Sequence, residues 1–233
     1  MMTEKKKNNV HVVIVAAGKG SRFGGDLPKQ FSLLGDRPVL MHTVIRIART
    51  MPRANIVMVL NKEYIDYWER MCELYGFVSP AVVAGGDSRW ESVKNAIETL
   101  KAQPDDVVMI HDGVRPIVQT EMVQRILSAM DSSDAVIPYV SLTDSLRQLD
   151  ADGVSSHSID RSQLVAVQTP QAFRAGKLLE AYKLPFDESF TDDASVYEAA
   201  GFGVPTLVEG SATNIKITRP RDIDIAALYM GIR

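Results

Sequence analysis

The run Val12-Val13-Ile14-Val15, followed by Ala16, Ala17 and the glycines Gly18, Gly20, Gly24 and Gly25, constrains this chain more than any other stretch. Four consecutive β-branched apolar residues without a charge read as a strand buried on both faces, which implies a parallel sheet covered by helices. The glycines lack Cβ, so successive backbone N–H groups after the strand can converge on an anion such as a polyphosphate. Arg22 and Lys29 add two positive charges to the same loop, and Pro28 restricts the backbone just ahead of Lys29. A P-loop is ruled out because Gly20 to Gly25 is followed by Asp26 where that motif needs lysine. A dinucleotide fingerprint fails because the third glycine comes one place late. A structural turn accounts for the glycines but not for Arg22 and Lys29.

Strand-like and helix-like segments alternate along the rest of the chain, as in a parallel sheet with helices on both faces. Helices are predicted after Pro38, over 62–75 closed by Gly76, from Ser88 to Leu100, over 121–130, 175–183, from Thr191 to Ala200 and over 220–229. Strands are predicted over 55–60, 79–84, 106–110, 135–140, 204–208 and 214–218. Ser88 with Glu91 three residues on forms a capping-box pattern. Residues 141–160 break the alternation: two polar, alternating segments flank Asp150-Ala151-Asp152-Gly153, which reads as a projecting β-hairpin arm. Gln168-Thr169-Pro170-Gln171 reads as a turn. The expected architecture is therefore α/β, a Rossmann-like, mostly parallel sheet in one domain over 10–233, with residues 1–9 as a mobile lysine-rich tail.

Composition narrows the function. A net charge of -3 argues against nucleic acid as a partner, so any anionic substrate must be met by local charge. Cys72 is the one cysteine and no internal disulfide is possible, which fits a cytoplasmic protein. No stretch approaches the about 18 apolar residues of a membrane span.

Residues at the strand ends carry the chemistry. Gly85, Gly86 and Asp87 form a second loop at the carboxyl edge, with a helix start behind it. Asp112, just past a buried strand, is the candidate ligand for Mg²⁺, which pairs one or two carboxylates with substrate phosphates; bracing of the loop is the alternative. Arg115 can grip a phosphate through its fork. His111 has no zinc-type spacing around it and is read as structural. Asp192 and Asp193 read as helix caps. Lys216, between Ile215 and Ile217, points either to solvent or into a site. No Ser-His-Asp spacing or activated thiol is present, and the set suits nucleotidyl transfer, which needs polyanion clamps and fixed positive charge but no protein nucleophile.

The motifs Ala16 to Gln30, Gly85-Gly86-Asp87-x-Arg89-x-x-Ser92, His111-Asp112-x-x-Arg115-Pro116, Asp160-Arg161, Thr169-Pro170-Gln171, Thr191-Asp192-Asp193-Ala194-Ser195 and Asn214-Ile215-Lys216, in this order, resemble the methylerythritol phosphate cytidylyltransferase family. The resemblance covers nearly the whole chain and implies the nucleotide-diphospho-sugar transferase type of fold. It implies that Arg22 and Lys29 stabilise the pentacovalent transition state as a phosphate oxygen of the acceptor, 2-C-methyl-D-erythritol 4-phosphate, attacks the α-phosphorus of CTP. It further implies that Ala16, Ala17, Gly18, Gly86, Asp87 and Ser92 line the cytidine and ribose site, that Asp112 and Arg115 lie beside the phosphates, and that Arg161 and Lys216 position the acceptor. The family is a homodimer whose arm reaches the neighbouring site, so Ser145 and Arg161 are expected to act in trans. Ser145 stands where threonine is frequent, Gly113 where alanine is, and Thr213 where an acidic residue is. A ribitol 5-phosphate cytidylyltransferase is the nearest alternative, although Asp160-Arg161 followed by Leu164 is more similar to the methylerythritol branch. A catalytically idle nucleotide-binding protein would be the alternative from another class.

Overall fold

The computed structural model describes residues 8–18 and 27–232. After β1 (Val10–Ala16), the short pair β2 (Leu33–Leu34) and β3 (Arg37–Pro38) leads into α1 (Val39–Thr50). Pro38 precedes that helix, where a missing N–H costs nothing. The alternation continues through β4 (Asn55–Leu60), α2 (Ile65–Tyr75), β5 (Ala81–Ala84), α3 (Arg89–Thr99), β6 (Val107–Asp112), α4 (Thr120–Ala129) and β7 (Ala135–Ser141). Gly76 stops α2 in the left-handed conformation, at φ 56°. The hairpin strands β8 (Leu146–Leu149) and β9 (Ser156–Ile159) follow, then β10 (Val165–Val167), β11 (Gln171–Arg174), α5 (Ala175–Ala181), α6 (Asp193–Ala199), β12 (Thr206–Glu209) and α7 (Arg221–Met230).

β5, β4, β1 and β6 lie side by side and parallel. β11 pairs antiparallel with both β6 and β7, so β7 runs parallel to β6, and β12 adds a parallel strand to the other edge of β7. β10 also pairs antiparallel with β7, beyond β11. Alternation along β1 sends Val12 and Ile14 to one face, against Leu40, Met41 and Val44 of α1, Trp68 of α2 and Met122 of α4. Val13 faces the opposite side, with Val93 and Ile97 of α3, Leu178 of α5 and Val196 of α6. Each large side chain buried this way stabilises the fold by about 1.5–3 kcal/mol before entropy is counted. A smaller cluster of Leu34, Val39, Val114, Ile117, Ile217 and Ala226 holds the 214–218 segment and α7 against the sheet's carboxyl end.

Four expectations change. β6 continues two residues beyond Ile110, because His111 and Asp112 stay in register with Ile14 and Val15. The stretch around Thr169 is more than a turn: it joins two strands, β10 and β11, each antiparallel to β7, whose shortness hides them from pattern reading. Residues 214–218 form no strand; Ile217 donates its N–H to the Val114 carbonyl, but its alternation with Ile215 reflects packing into the small cluster. Of the stretch 1–9, residues 1–7 lie outside the described residues, and Asn9 is tied to the sheet through its N–H to Asp106 Oδ1 at 2.8 Å.

Candidate active site

The carboxyl ends of the parallel strands open onto a cavity of about 740 Å³. Ala16, Ala17, Gly18 and Lys29 line it from the first loop, Gly86, Asp87 and Ser92 from the second, and Asp112 and Lys216 from its floor and far wall. Nine of the residues singled out in the sequence therefore meet here. Arg22 lies outside the described residues. The backbone leaving β1 is fixed by Gln30, whose buried amide donates to the Ala16 carbonyl at 2.7 Å and to the Gly18 carbonyl at 3.2 Å. The second loop is packed onto the first: a Cβ on Gly85 would lie 2.5 Å from Ala17 Cβ and 2.9 Å from Ser92 Oγ. Only glycine permits that approach.

Ser88 caps α3, its hydroxyl accepting from the Glu91 N–H at 3.0 Å. The expected return bond from Glu91 goes elsewhere, to the Asp87 N–H at 2.8 Å, while Ser92 Oγ accepts from the Gly86 N–H at 3.1 Å. The glycine loop is thus pinned by side chains of the helix it introduces. The helix start faces the cavity, where its N–H groups and dipole favour an anion.

At the end of β6, Asp112 Oδ2 is 3.0 Å from Lys216 Nζ and 3.2 Å from Arg115 Nε. Burial alone would raise the Asp112 carboxyl, but the charges of Lys216, Arg89 and Arg115 outweigh it and hold the group well below the usual carboxylate range. Arg115 also braces the site: a second nitrogen donates to the Asn214 carbonyl at 2.8 Å. Asn214 is fully buried and donates from its amide to the Thr169 carbonyl at 2.8 Å, which fixes the chain two residues ahead of Lys216. His111 is structural, as expected: its ring nitrogens lie 3.0 Å from Thr169 Oγ1 and from the Arg115 carbonyl, and burial pushes its pKa down to about 4.

A second cavity, of about 170 Å³, shares Arg89, Asp112 and Lys216 with the first and adds Arg115, Gln168, Thr169, Gln171, Thr191 and Asp192. Ser145 and Arg161 line neither cavity of their own chain. Arg161 sits beyond the arm and donates to the Thr143 carbonyl. Sequence reading gave Arg89 no task, and Asn214 and Gln171 none beyond their motifs; their partners lie far along the chain, and Arg89 meets Asp193 across 104 positions. Among the described residues no three His, Cys, Asp or Glu side chains cluster as a metal site. A single ionised carboxylate at the wall between two cavities does suit Mg²⁺, which takes its other oxygens from phosphates and water. Gly113 is confined as well: a Cβ there would lie 2.8 Å from Ala16 Cβ and 3.0 Å from Leu40 Cδ1.

Comparison with protein families matches residues 10–232 to IspD, 2-C-methyl-D-erythritol 4-phosphate cytidylyltransferase. A protein of that name from Porphyromonas gingivalis is 45% identical over 227 residues, covering 96% of this chain and 99% of the relative. One from Bacteroides thetaiotaomicron is 43% identical over 220 residues, with coverages of 94% and 98%. Among solved structures, a 4-diphosphocytidyl-2C-methyl-D-erythritol synthase superposes with a TM-score of 0.80 at 30% identity, covering 96% of this chain and 99% of the other. The 2-C-methyl-D-erythritol 4-phosphate cytidylyltransferase of Thermus thermophilus does so at 0.73 and 29%, with coverages of 96% and 100%.

Proposed function

This chain belongs to the 2-C-methyl-D-erythritol 4-phosphate cytidylyltransferase family, and from that premise we propose that it transfers the cytidylyl group of CTP to 2-C-methyl-D-erythritol 4-phosphate, releasing pyrophosphate, as a step of non-mevalonate isoprenoid synthesis. The observation that carries this reading is the junction of a large and a small cavity on a wall of one carboxylate, Asp112, and two cations, Lys216 and Arg89.

Two polyanions must be brought end to end against their mutual repulsion, and the larger cavity, with its glycine loops and the α3 start, suits the nucleotide. The smaller cavity takes the acceptor, whose phosphate oxygen attacks the α-phosphorus in line with the departing pyrophosphate. Ala16, Ala17, Gly18, Gly86, Asp87 and Ser92 hold the base and ribose. Lys29 and Arg22 on the first loop, with Lys216 opposite, supply fixed positive charge to the pentacovalent transition state. Asp112 pairs with the Lys216 ammonium and orients it at the junction. Asp112 is the residue that would hold Mg²⁺ together with the nucleotide phosphates, and the ion would supply positive charge against the leaving pyrophosphate.

The working unit is a homodimer in which the arm carries Ser145 and Arg161 to the neighbouring acceptor site. This is supported by Ser145 and Arg161 not being among the residues that line their own chain's two cavities and by Leu149 and Val154, 64% and 86% exposed on the hairpin. No helix among the described residues is long and apolar enough to cross a membrane. The lone, buried Cys72 and the nucleotide substrate favour a cytoplasmic setting.

Pyrophosphate release by the purified protein with CTP and Mg²⁺ tests the reading. Release with 2-C-methyl-D-erythritol 4-phosphate and not with ribitol 5-phosphate is expected. Preference for ribitol 5-phosphate would retain the mechanism and overturn the acceptor, and CTP binding without release from either would overturn the activity.

A further inference from the structure

Arg89 opens α3 and Asp193 opens α6, and the two side chains meet fork to fork, at 2.9 Å between Nη1 and Oδ1 and 2.6 Å between Nη2 and Oδ2. Asp193 is wholly excluded from solvent, and Tyr182 donates its hydroxyl to Asp193 Oδ1 at 2.6 Å. The phenol is itself held, because the Trp90 ring stacks on it with centroids 5.8 Å apart and planes 20° from parallel. Gln171 fixes the start of α6 from the sheet side, accepting from the Ala194 N–H at 3.1 Å and donating to Asp192 Oδ2 at 2.8 Å.

A pair of this kind is a poor way to gain stability, since a buried ion pair replaced by packed apolar groups is often neutral or better. Its product is geometric. A guanidinium gripped on one edge by a carboxylate has its plane set, and two of its five donors are committed there. The Arg89 side chain as a whole stays 32% exposed, on the wall common to both cavities. The charge also acts there, since Arg89 is one of the cations that depress Asp112.

We propose that Tyr182 and Asp193 are positioning residues that aim the Arg89 guanidinium across the wall between the two cavities, where it binds a phosphate oxygen of the acceptor. The inference rests on the reading of the smaller cavity as the acceptor site. A merely structural pair would tie α3 to α6 and leave turnover alone in protein that is folded.

The test compares wild type, Tyr182→Phe, Arg89→Lys and the double variant by steady-state pyrophosphate release, CTP affinity by calorimetry and thermal unfolding. Tyr182→Phe is expected to stay folded, to bind CTP within about twofold of wild type, and to lose about tenfold in kcat/KM for the acceptor. Arg89→Lys keeps the charge but not the fork and is expected to lose about a hundredfold. The double variant should lose less than the product of the two, because the residues act in one chain of contacts. Full acceptor kcat/KM in folded Tyr182→Phe would overturn the inference, as would an equal fall in CTP affinity. Should Tyr182→Phe unfold, the acceptor-against-CTP split in Arg89→Lys decides the matter. Wild type inactive on the acceptor would overturn the function itself and this inference with it, whereas active wild type with unchanged variants overturns this inference alone.

Discussion

Lys216 is the residue on which the junction of the two cavities turns, and its surroundings separate catalysis from stability. It touches Asp112 at 3.0 Å, but Arg115 also reaches that carboxylate, so removing the ammonium does not leave a buried charge unpaired. Lys216→Met is therefore expected to lower kcat by about a hundredfold, in line with losing one preorganised transition-state cation. Unfolding in urea should shift by less than about 1 kcal/mol. Asp106 behaves in the opposite way. It is buried at the far end of the sheet, where it accepts from the Asn9 N–H and the Gln103 N–H, both at 2.8 Å, with His11 at 3.3 Å. Burial raises its carboxyl, but these bonds outweigh burial and the net shift is downward. A depressed folded pKa means the unfolded chain takes up the proton first, so the contribution is complete above the ordinary carboxylate pKa of about 3.9 and is lost as pH falls through the folded value. Asp106→Asn should cost about 2 kcal/mol at neutral pH and flatten the acid limb of the stability profile below about pH 4, while leaving kcat unchanged. The charges at the strand ends were legible in the sequence because chain order predicts which loops share an edge. Arg115 acting as a brace and Arg89 as a paired cation were not, since both depend on partners about a hundred positions away.

Among the elements, the two glycine loops act as one. Gly85 carries the contact between them, with the Ala17 side chain and Ser92 hydroxyl closing on the space a Cβ would need. Its N–H also donates to the Leu60 carbonyl at 2.7 Å, which leaves the loop no room to retreat. Gly85→Ala should therefore separate the loops, raising the CTP dissociation constant more than tenfold and destabilising the fold by about 1–3 kcal/mol, as overpacking does. Calorimetric CTP titration beside urea unfolding checks both; unchanged CTP affinity would show the loops to be independent. The parallel half of the sheet could be read from sequence because its strands are apolar runs with helices between them. β10 and β11 could not, being three and four residues long and separated by Thr169-Pro170, where proline offers no N–H to a ladder. Residues 214–218 misled in the other direction, for their alternation serves packing under α7 rather than pairing.

At the scale of the whole molecule, the hairpin of β8 and β9 forms its own two-stranded sheet rather than joining the central one. Its strands are mostly exposed, so excising it removes little core. A chain with residues 146–159 replaced by a short turn is expected to keep the thermal stability of one folded domain and, on the proposed dimer in which Arg161 and Ser145 are presented to a neighbour, to lose more than about a hundredfold in activity. Loss of activity alone has a trivial explanation in a damaged site, and complementation removes it. Shortened chains keep an intact cavity but no arm, whereas Lys216→Met chains keep the arm but have a crippled cavity. If the arm serves the neighbouring site, a mixed dimer contains one complete site, formed by the cavity of the shortened chain and the arm of the other. Equal mixing with free exchange makes half of the dimers mixed, each with one complete site of two, so activity should recover to about a quarter of wild type. An arm acting on its own chain's cavity would give no recovery at any ratio, since neither chain then holds all the parts.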